Sequence, residues 1–212
     1  EFGHALQGML TTAPYKSLAG TNVDRDYVEL CSQLYEHWGF APEVLKKYAR
    51  HYKTGEAIPD DVIEKLTASG TFNEGFVTTE AVGAAILDMM YGQQTEVADP
   101  AAFEAEVAEK IGMPKEITFR YRSPYFKHIF GDDGYASGYY TYTWAQVLEA
   151  DAWELFEEKG IFDPKTAASF KKNILQAGDT EDAMVLFKRF RGHTPDTGAL
   201  LRLRGFAPAK KK

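Results

Sequence analysis

Prolines at positions 42, 59, 100 and 164 each head a run that reads as helix. Proline suits the first turn of a helix, where its missing N–H has no partner to lose. Ala41-Pro42-Glu43 opens a helix to about Tyr52, and Pro59-Asp60-Asp61 opens a short one. Asp99-Pro100 opens a helix ending near Gly112-Met113-Pro114, and Asp163-Pro164 opens another closed by Gln176-Ala177-Gly178. Ahead of these, Val23, Tyr27, Leu30, Leu34 and Trp38 return every three or four positions, one apolar stripe of a helix over 22–38. Gly75 to Met90 is rich in Ala, Ile, Leu and Met and reads as a buried helix. A long helix is predicted from about Tyr135 to Lys159, stopped by Gly160, and Asp179–Gly192 and Asp196–Gly205 complete the set. Alternating strand patterns are absent except for the short run Glu116–Arg120. The expected fold is all-α and multi-helical, with a Gly-rich interruption at 131–134 and no linker that divides the chain.

Composition narrows the function. With 24 Lys plus Arg against 31 Asp plus Glu, the net charge is -7, which argues against a general binder of nucleic-acid phosphates. Lys210, Lys211 and Lys212 read as a solvated tail. No apolar run reaches the ~18 residues of a membrane span. The single cysteine, Cys31, excludes an internal disulfide and a Cys-rich metal cluster, fits a reducing compartment, and reads as a small buried residue. No signal peptide is visible, and the chain starts as if inside a helix, which reads as the start of a fragment.

Chemistry concentrates in two places. Glu1-Phe2-Gly3-His4 supplies four-fifths of H-E-x-x-H, in which two His one helical turn apart face one Zn²⁺ and the Glu serves as general base. The leading His would stand immediately before Glu1. By themselves the four residues describe an ordinary helix-surface Glu and a packed or exposed His. A third ligand is needed, and Glu29 is a candidate, with Asp26 either a partner that orients a ligand or equally a surface charge. A solvated Glu29 paired with Arg25 is the plainer alternative. The second place is Tyr125–Tyr142. His128 precedes Gly131-Asp132-Asp133-Gly134, and Tyr135, Tyr139 and Tyr142 fall at i, i+4 and i+7. Phenol and imidazole donors on one stripe suit an oxyanion, though a packing stripe fits as well. His37, His51 and His193 read as structural or exposed.

These stretches, with Gly20-Thr21-Asn22-Val23, Asp26-Tyr27-Val28-Glu29, Ser32-Gln33 and Tyr135–Ala145, resemble the zinc-site region of the thimet oligopeptidase family. Phe72–Phe76, Ala85–Met89, Tyr121-Arg122-Ser123, Phe126–Phe130, Phe187–Gly192 and Leu200-Leu201-Arg202 look most like its peptidyl-dipeptidase (dipeptidyl carboxypeptidase) branch. The resemblance runs in order over nearly the whole chain. It implies that residues 1–212 are the C-terminal part of a two-lobed helical zinc metallopeptidase, cut just after the first His of its motif. By motif match it implies zinc ligands His4 and Glu29, and a general base at Glu1. His128, Tyr135 and Tyr142 would bind substrate and stabilise the tetrahedral intermediate, and Tyr139 and Gly134 would contact substrate. The chain departs from the family in a His128–Tyr135 loop longer by one residue and in Asp132-Asp133, which replaces glycines and adds negative charge.

The implied activity is hydrolysis of short peptides, with release of C-terminal dipeptides, in bacteria commonly in the cytoplasm. With one zinc ligand outside the sequence, the chain alone is expected to be inactive or nearly so. A non-catalytic helical binding module, or one half of a split enzyme, stands as the alternative. The missing N-terminal part or a second copy would then be the partner, with no nucleic acid and no membrane.

Overall fold

The computed structural model describes residues 1–208; the basic tail at 210–212 lies outside the described residues. Those residues form eleven α-helices, two short 3₁₀ turns and one π turn, and no strand; Arg50 and Ala57 make an isolated bridge. Two compact units emerge, residues 1–72 with 145–212, and residues 73–144. One boundary falls in a turn and the other inside a helix, so no change of composition marks either.

In the first unit, α1 (Phe2–Leu10) packs on α2 (Glu29–Phe40), which contacts α3 (Pro42–Tyr48). The predicted helix over 22–38 begins only at Glu29. Asn22 Nδ2 donates to the Lys16 and Ala19 carbonyls, and the Asp24 carbonyl accepts from both Tyr27 and Val28 N–H. These local bonds hold 22–28 as turns, the usual way Asn and Asp compete with helix. Helix α3 stops at Tyr48, short of the expected Tyr52. α4 (Asp60–Ser69) follows.

The remainder of α8 (Thr141–Lys159), from Ala145 on, joins this unit with α9 (Pro164–Phe170), a π turn at Lys171–Leu175, α10 (Ala183–Arg191) and α11 (Thr197–Leu203). Asp163 and Asp196 cap the helix heads the sequence assigns to them, accepting from Thr166 and Gly198 N–H, whereas the helix expected from Asp179 begins at Ala183, with Asp182 accepting from Met184 and Val185 N–H. The core is aromatic. Trp38 meets Trp153 edge-on at 4.8 Å and Phe156 at 4.9 Å, and Phe170 meets Phe190 at 5.2 Å. Buried Asp151 accepts from Arg191 Nε at 2.8 Å and Asp196 N–H at 3.0 Å, which ties the end of α10 to the head of α11.

In the second unit, α5 (Glu74–Tyr91) packs on α6 (Pro100–Lys110), and a short α7 (Lys127–Phe130) precedes the Gly-rich segment. Ala84, Ala85, Phe126, Ile129 and Tyr139 form one buried cluster; Leu87, Val107 and Phe119 form another. The run at 116–120 begins in a turn, ends in a bend and forms no strand; burial of Phe119 accounts for its apolar character.

Glu104 of α6 is buried. Burial opposes its charge, but Ser123 Oγ and N–H, each at 2.6 Å, and Arg122 donate to it and hold its carboxyl below the ordinary 4.5. A folded-state value below the unfolded one stabilises the fold above the unfolded value, and the gain disappears as pH falls through the folded one. Acid unfolding followed by circular dichroism from about pH 5 to about pH 3 should therefore lose part of its pH dependence in Glu104→Gln. An unchanged acid limb would remove Glu104 as a source.

Candidate functional site

Glu1 lies just ahead of α1, and its carbonyl accepts the Ala5 N–H at 3.0 Å. Glu1 and His4 are three residues apart on helical backbone and therefore share a face of α1. Glu29 is the first residue of α2, where the positive end of the helix dipole favours a carboxylate. The two helices bring His4 Nε2 to 3.2 Å from Glu29 Oε2. Ser32, one turn on, donates from Oγ to the same Glu29 Oε2 at 2.7 Å, which fixes the carboxylate's rotamer. His4 and Glu29 are largely buried, with side chains 24% and 12% exposed, whereas Glu1 is exposed.

Gly3 makes this approach possible. A Cβ there would lie 2.2 Å from the Cys31 carbonyl oxygen and 2.7 Å from Ser32 N. Only a residue without a side chain lets α1 lie this close to α2. Cys31 is buried and its thiol is pushed up to about 12 by burial, so it is inert at neutral pH. Asp26 sits in the turn before α2 rather than on the helix.

An imidazole nitrogen and a carboxylate oxygen are ordinary zinc donors. Bonds of about 2.0–2.1 Å in tetrahedral geometry place two donors roughly 3.3 Å apart. The separation of His4 Nε2 and Glu29 Oε2 fits that, and His4 Nδ1 is buried without a hydrogen-bond partner, which leaves Nε2 as the nitrogen facing the carboxylate. No three His, Cys, Asp or Glu side chains among the described residues gather around one position, so this donor set is a pair. If the His4–Glu29 pair holds zinc, Ser32→Ala should weaken zinc affinity about 10-fold by freeing Glu29, the low end of what loss of a ligand's hydrogen-bond partner costs. Competition against a chelator measures it, and an unchanged affinity would show that Ser32 does not hold the ligand.

The second group of predicted residues lies within residues 73–144. His128 is on α7, but Tyr135 and Tyr139 precede α8, which begins at Thr141 rather than at the predicted Tyr135. Segment 135–140 is a turn with Ser137 at φ +55. The rings nonetheless meet. Tyr135 stacks on Tyr142 with centroids 5.2 Å apart, and His128 lies 6.1 Å from Tyr135 and 6.2 Å from Tyr142. His128 Nδ1 is buried without a hydrogen-bond partner.

Tyr139 is different. The residue is 8% exposed, and its ring packs edge-on against Phe126 at 5.1 Å and Tyr121 at 6.0 Å. Burial, with the neighbouring Tyr121 hydroxyl, pushes its phenol well above the ordinary value. Gly134 N–H is used locally by Asp132 Oδ1 at 2.8 Å. A separate cavity of about 410 Å³ in this unit is bordered by Tyr91, Ser123, Pro124 and Phe130, and none of the predicted site residues lines it.

The other histidines pair locally. His37 bonds Glu149 and stacks on Trp153 at 4.6 Å, His51 Nδ1 accepts Thr54 N–H, and His193 turns to the Thr194 carbonyl. Sequence reasoning assigned no task to Gly3 or Ser32 beyond their place in a motif. It also missed Asp88 of α5, which accepts from Ser137 N–H and Tyr139 N–H at 2.8 Å each. The small-residue gap in Glu-Phe-Gly-His was a usable signal for Gly3; nothing local marks Asp88.

The chain is 40% identical over 210 residues to the dipeptidyl carboxypeptidase of Escherichia coli (strain K12), which covers 97% of this chain and 30% of that protein. It is 38% identical over 218 residues to oligopeptidase A of Haemophilus influenzae, covering 97% of this chain and 30% of that protein. It is 37% identical over 223 residues to a probable cytosolic oligopeptidase A of Arabidopsis thaliana, covering 99% of this chain and 31% of that protein. The chain thus spans under a third of the length of these relatives. The profile of peptidase family M3 matches residues 1–206, and the chain belongs to that family.

Proposed function

We propose that the chain is part of a zinc-dependent metallopeptidase that hydrolyses short peptides and releases dipeptides from free C-termini. The observation that carries this reading is the 3.2 Å approach of His4 Nε2 to Glu29 Oε2 in a chain of family M3. The name dipeptidyl carboxypeptidase, carried by relatives at 40% and 41% identity, supports the dipeptide product.

In this reading His4 and Glu29 hold the metal. Zinc, when bound, supplies Lewis-acid polarisation of the carbonyl and a lowered pKa for water. The Glu1 carboxylate takes a proton from the attacking water and returns it to the leaving amine. His128, Tyr135 and Tyr142 donate hydrogen bonds to the substrate carbonyl and to the charge that develops on it. Tyr139 and Gly134 shape the segment that carries these donors. A catalytic zinc ordinarily takes three protein ligands, so the 212 residues alone are expected to be nearly inactive and the full-length protein is the species to assay. No helix among the described residues is long and apolar enough to cross a membrane. The cytoplasm is the proposed place of action, in keeping with the word cytosolic in the name of one plant relative.

The test is product analysis on the full-length protein. Dipeptides should leave a peptide with a free C-terminus, stop with a chelator, return with zinc, and not leave a C-terminally amidated peptide. Cleavage insensitive to chelation, or only at internal bonds, would contradict the proposal.

A further inference from the structure

The tyrosine-bearing segment 135–140 is irregular, so its backbone N–H groups need acceptors that no helix supplies. Gly138 N–H returns to the Tyr135 carbonyl at 2.8 Å. The N–H groups on either side of it, Ser137 and Tyr139, both leave the segment and end on one side chain, the carboxylate of Asp88, one on each oxygen at 2.8 Å. Asp88 is 1% exposed and comes from α5, 49 and 51 residues away in sequence. A buried carboxylate is tolerated when its charge is met by hydrogen bonds, and the concavity of a turn with one left-handed residue is suited to an anion. Ser137 is that residue, at φ +55.

The segment is also pressed against the end of α5. A Cβ on Gly92 would fall 2.0 Å from Ser137 Oγ. Tyr139, pinned by its N–H, buries its ring among Ala84 and Ala85 of the same helix and Phe126 and Ile129. Tyr135 opens the pinned segment, Tyr142 stands just beyond it in the first turn of α8, and the two stack on each other beside His128.

We propose that Asp88 is a positioning residue: its two oxygens clamp segment 135–140 and thereby set Tyr135 and Tyr142 against His128. Its effect on turnover rests on the peptidase reading above, because Asp88 acts through those three side chains and touches no substrate.

Two measurements on the full-length protein test it. Ser137 and Tyr139 amides should be protected from hydrogen exchange in the wild type and lose protection in Asp88→Ala. In the same variant kcat should fall about 100-fold with KM little changed and zinc content intact, as expected when donors are displaced by about an ångström. Asp88→Asn keeps one acceptor oxygen and should fall between. Wild-type amides that exchange as freely as an exposed loop would overturn the clamp without any variant needing to fold. A folded Asp88→Ala enzyme with normal kcat would show that Asp88 only stabilises, and would overturn the positioning role while the peptidase reading stands. A wild-type enzyme that releases no dipeptide would instead contradict the peptidase reading, and the positioning role with it.

Discussion

If the peptidase proposal holds, Glu1→Gln in the full-length protein should lower kcat for dipeptide release by about 10²–10⁴-fold, the range for loss of a positioned general base. Zinc content should not change. Glutamine keeps the size and hydrogen-bonding reach of the side chain but cannot accept the proton of the attacking water. Glu1 heads α1 on the face of His4, with its carbonyl already bonded to Ala5 N–H, so the helix fixes its backbone while its side chain stays exposed. Among the described residues its side chain makes no capping bond to α1, so its replacement should leave the helix intact. Steady-state kinetics beside metal analysis reads both quantities. Normal turnover in the variant would assign the base elsewhere, and a loss of zinc would make Glu1 a ligand instead.

Gly3→Ala is expected to have the largest combined effect on stability and metal binding. The added Cβ meets the backbone of Cys31 at 2.2 and 2.4 Å and Ser32 N at 2.7 Å. Backbone cannot rotate away as a side chain does, so α1 and α2 must separate. Overpacking of this kind costs about 1–3 kcal/mol. The displaced residues adjoin both halves of the His4–Glu29–Ser32 arrangement, so if that arrangement holds zinc as proposed, zinc affinity should fall about 10–100-fold, as when a ligand loses its support. Gly8→Ala is the control: it lies in the same helix, and a Cβ there meets nothing within 4 Å. Alanine is the better helix former, so that variant should gain about 0.5–1 kcal/mol with zinc binding unchanged. Equal behaviour of the two variants in denaturant titration and zinc competition would refute the close-contact role of Gly3.

The readable parts of the fold were those with local causes. Asp99 and Asp163, each followed by proline, cap helices as their sequence implies, and Gly160 ends α8 at φ +104. The apolar stripe through Leu30, Leu34 and Trp38 is a helix because its side chains enter the aromatic core of the first unit. The same periodicity misled at Val23 and Tyr27, where side-chain-to-backbone bonds of Asn22 and the shared Asp24 carbonyl favour turns. It misled again at Tyr135 and Tyr139. Their rings meet Tyr142 and His128 through a turn held by Asp88, and no sequence period carries information across about fifty residues.

The pairing of His4 with Glu29 shows the same division. Spacing alone left Glu29 as readily a solvated helix residue, and only the resemblance to a family joined the two. Their contact depends on how closely two helices pack, a tertiary fact written in the sequence only as the absence of a side chain at Gly3.

The most direct measurement is the zinc affinity of the full-length protein, compared with His4→Ala and with Glu29→Ala by chelator competition. If the two side chains 3.2 Å apart share one ion, each substitution must weaken binding by more than the 10–100-fold that loss of a supporting hydrogen bond costs. Wild-type affinity retained in either variant would contradict the account.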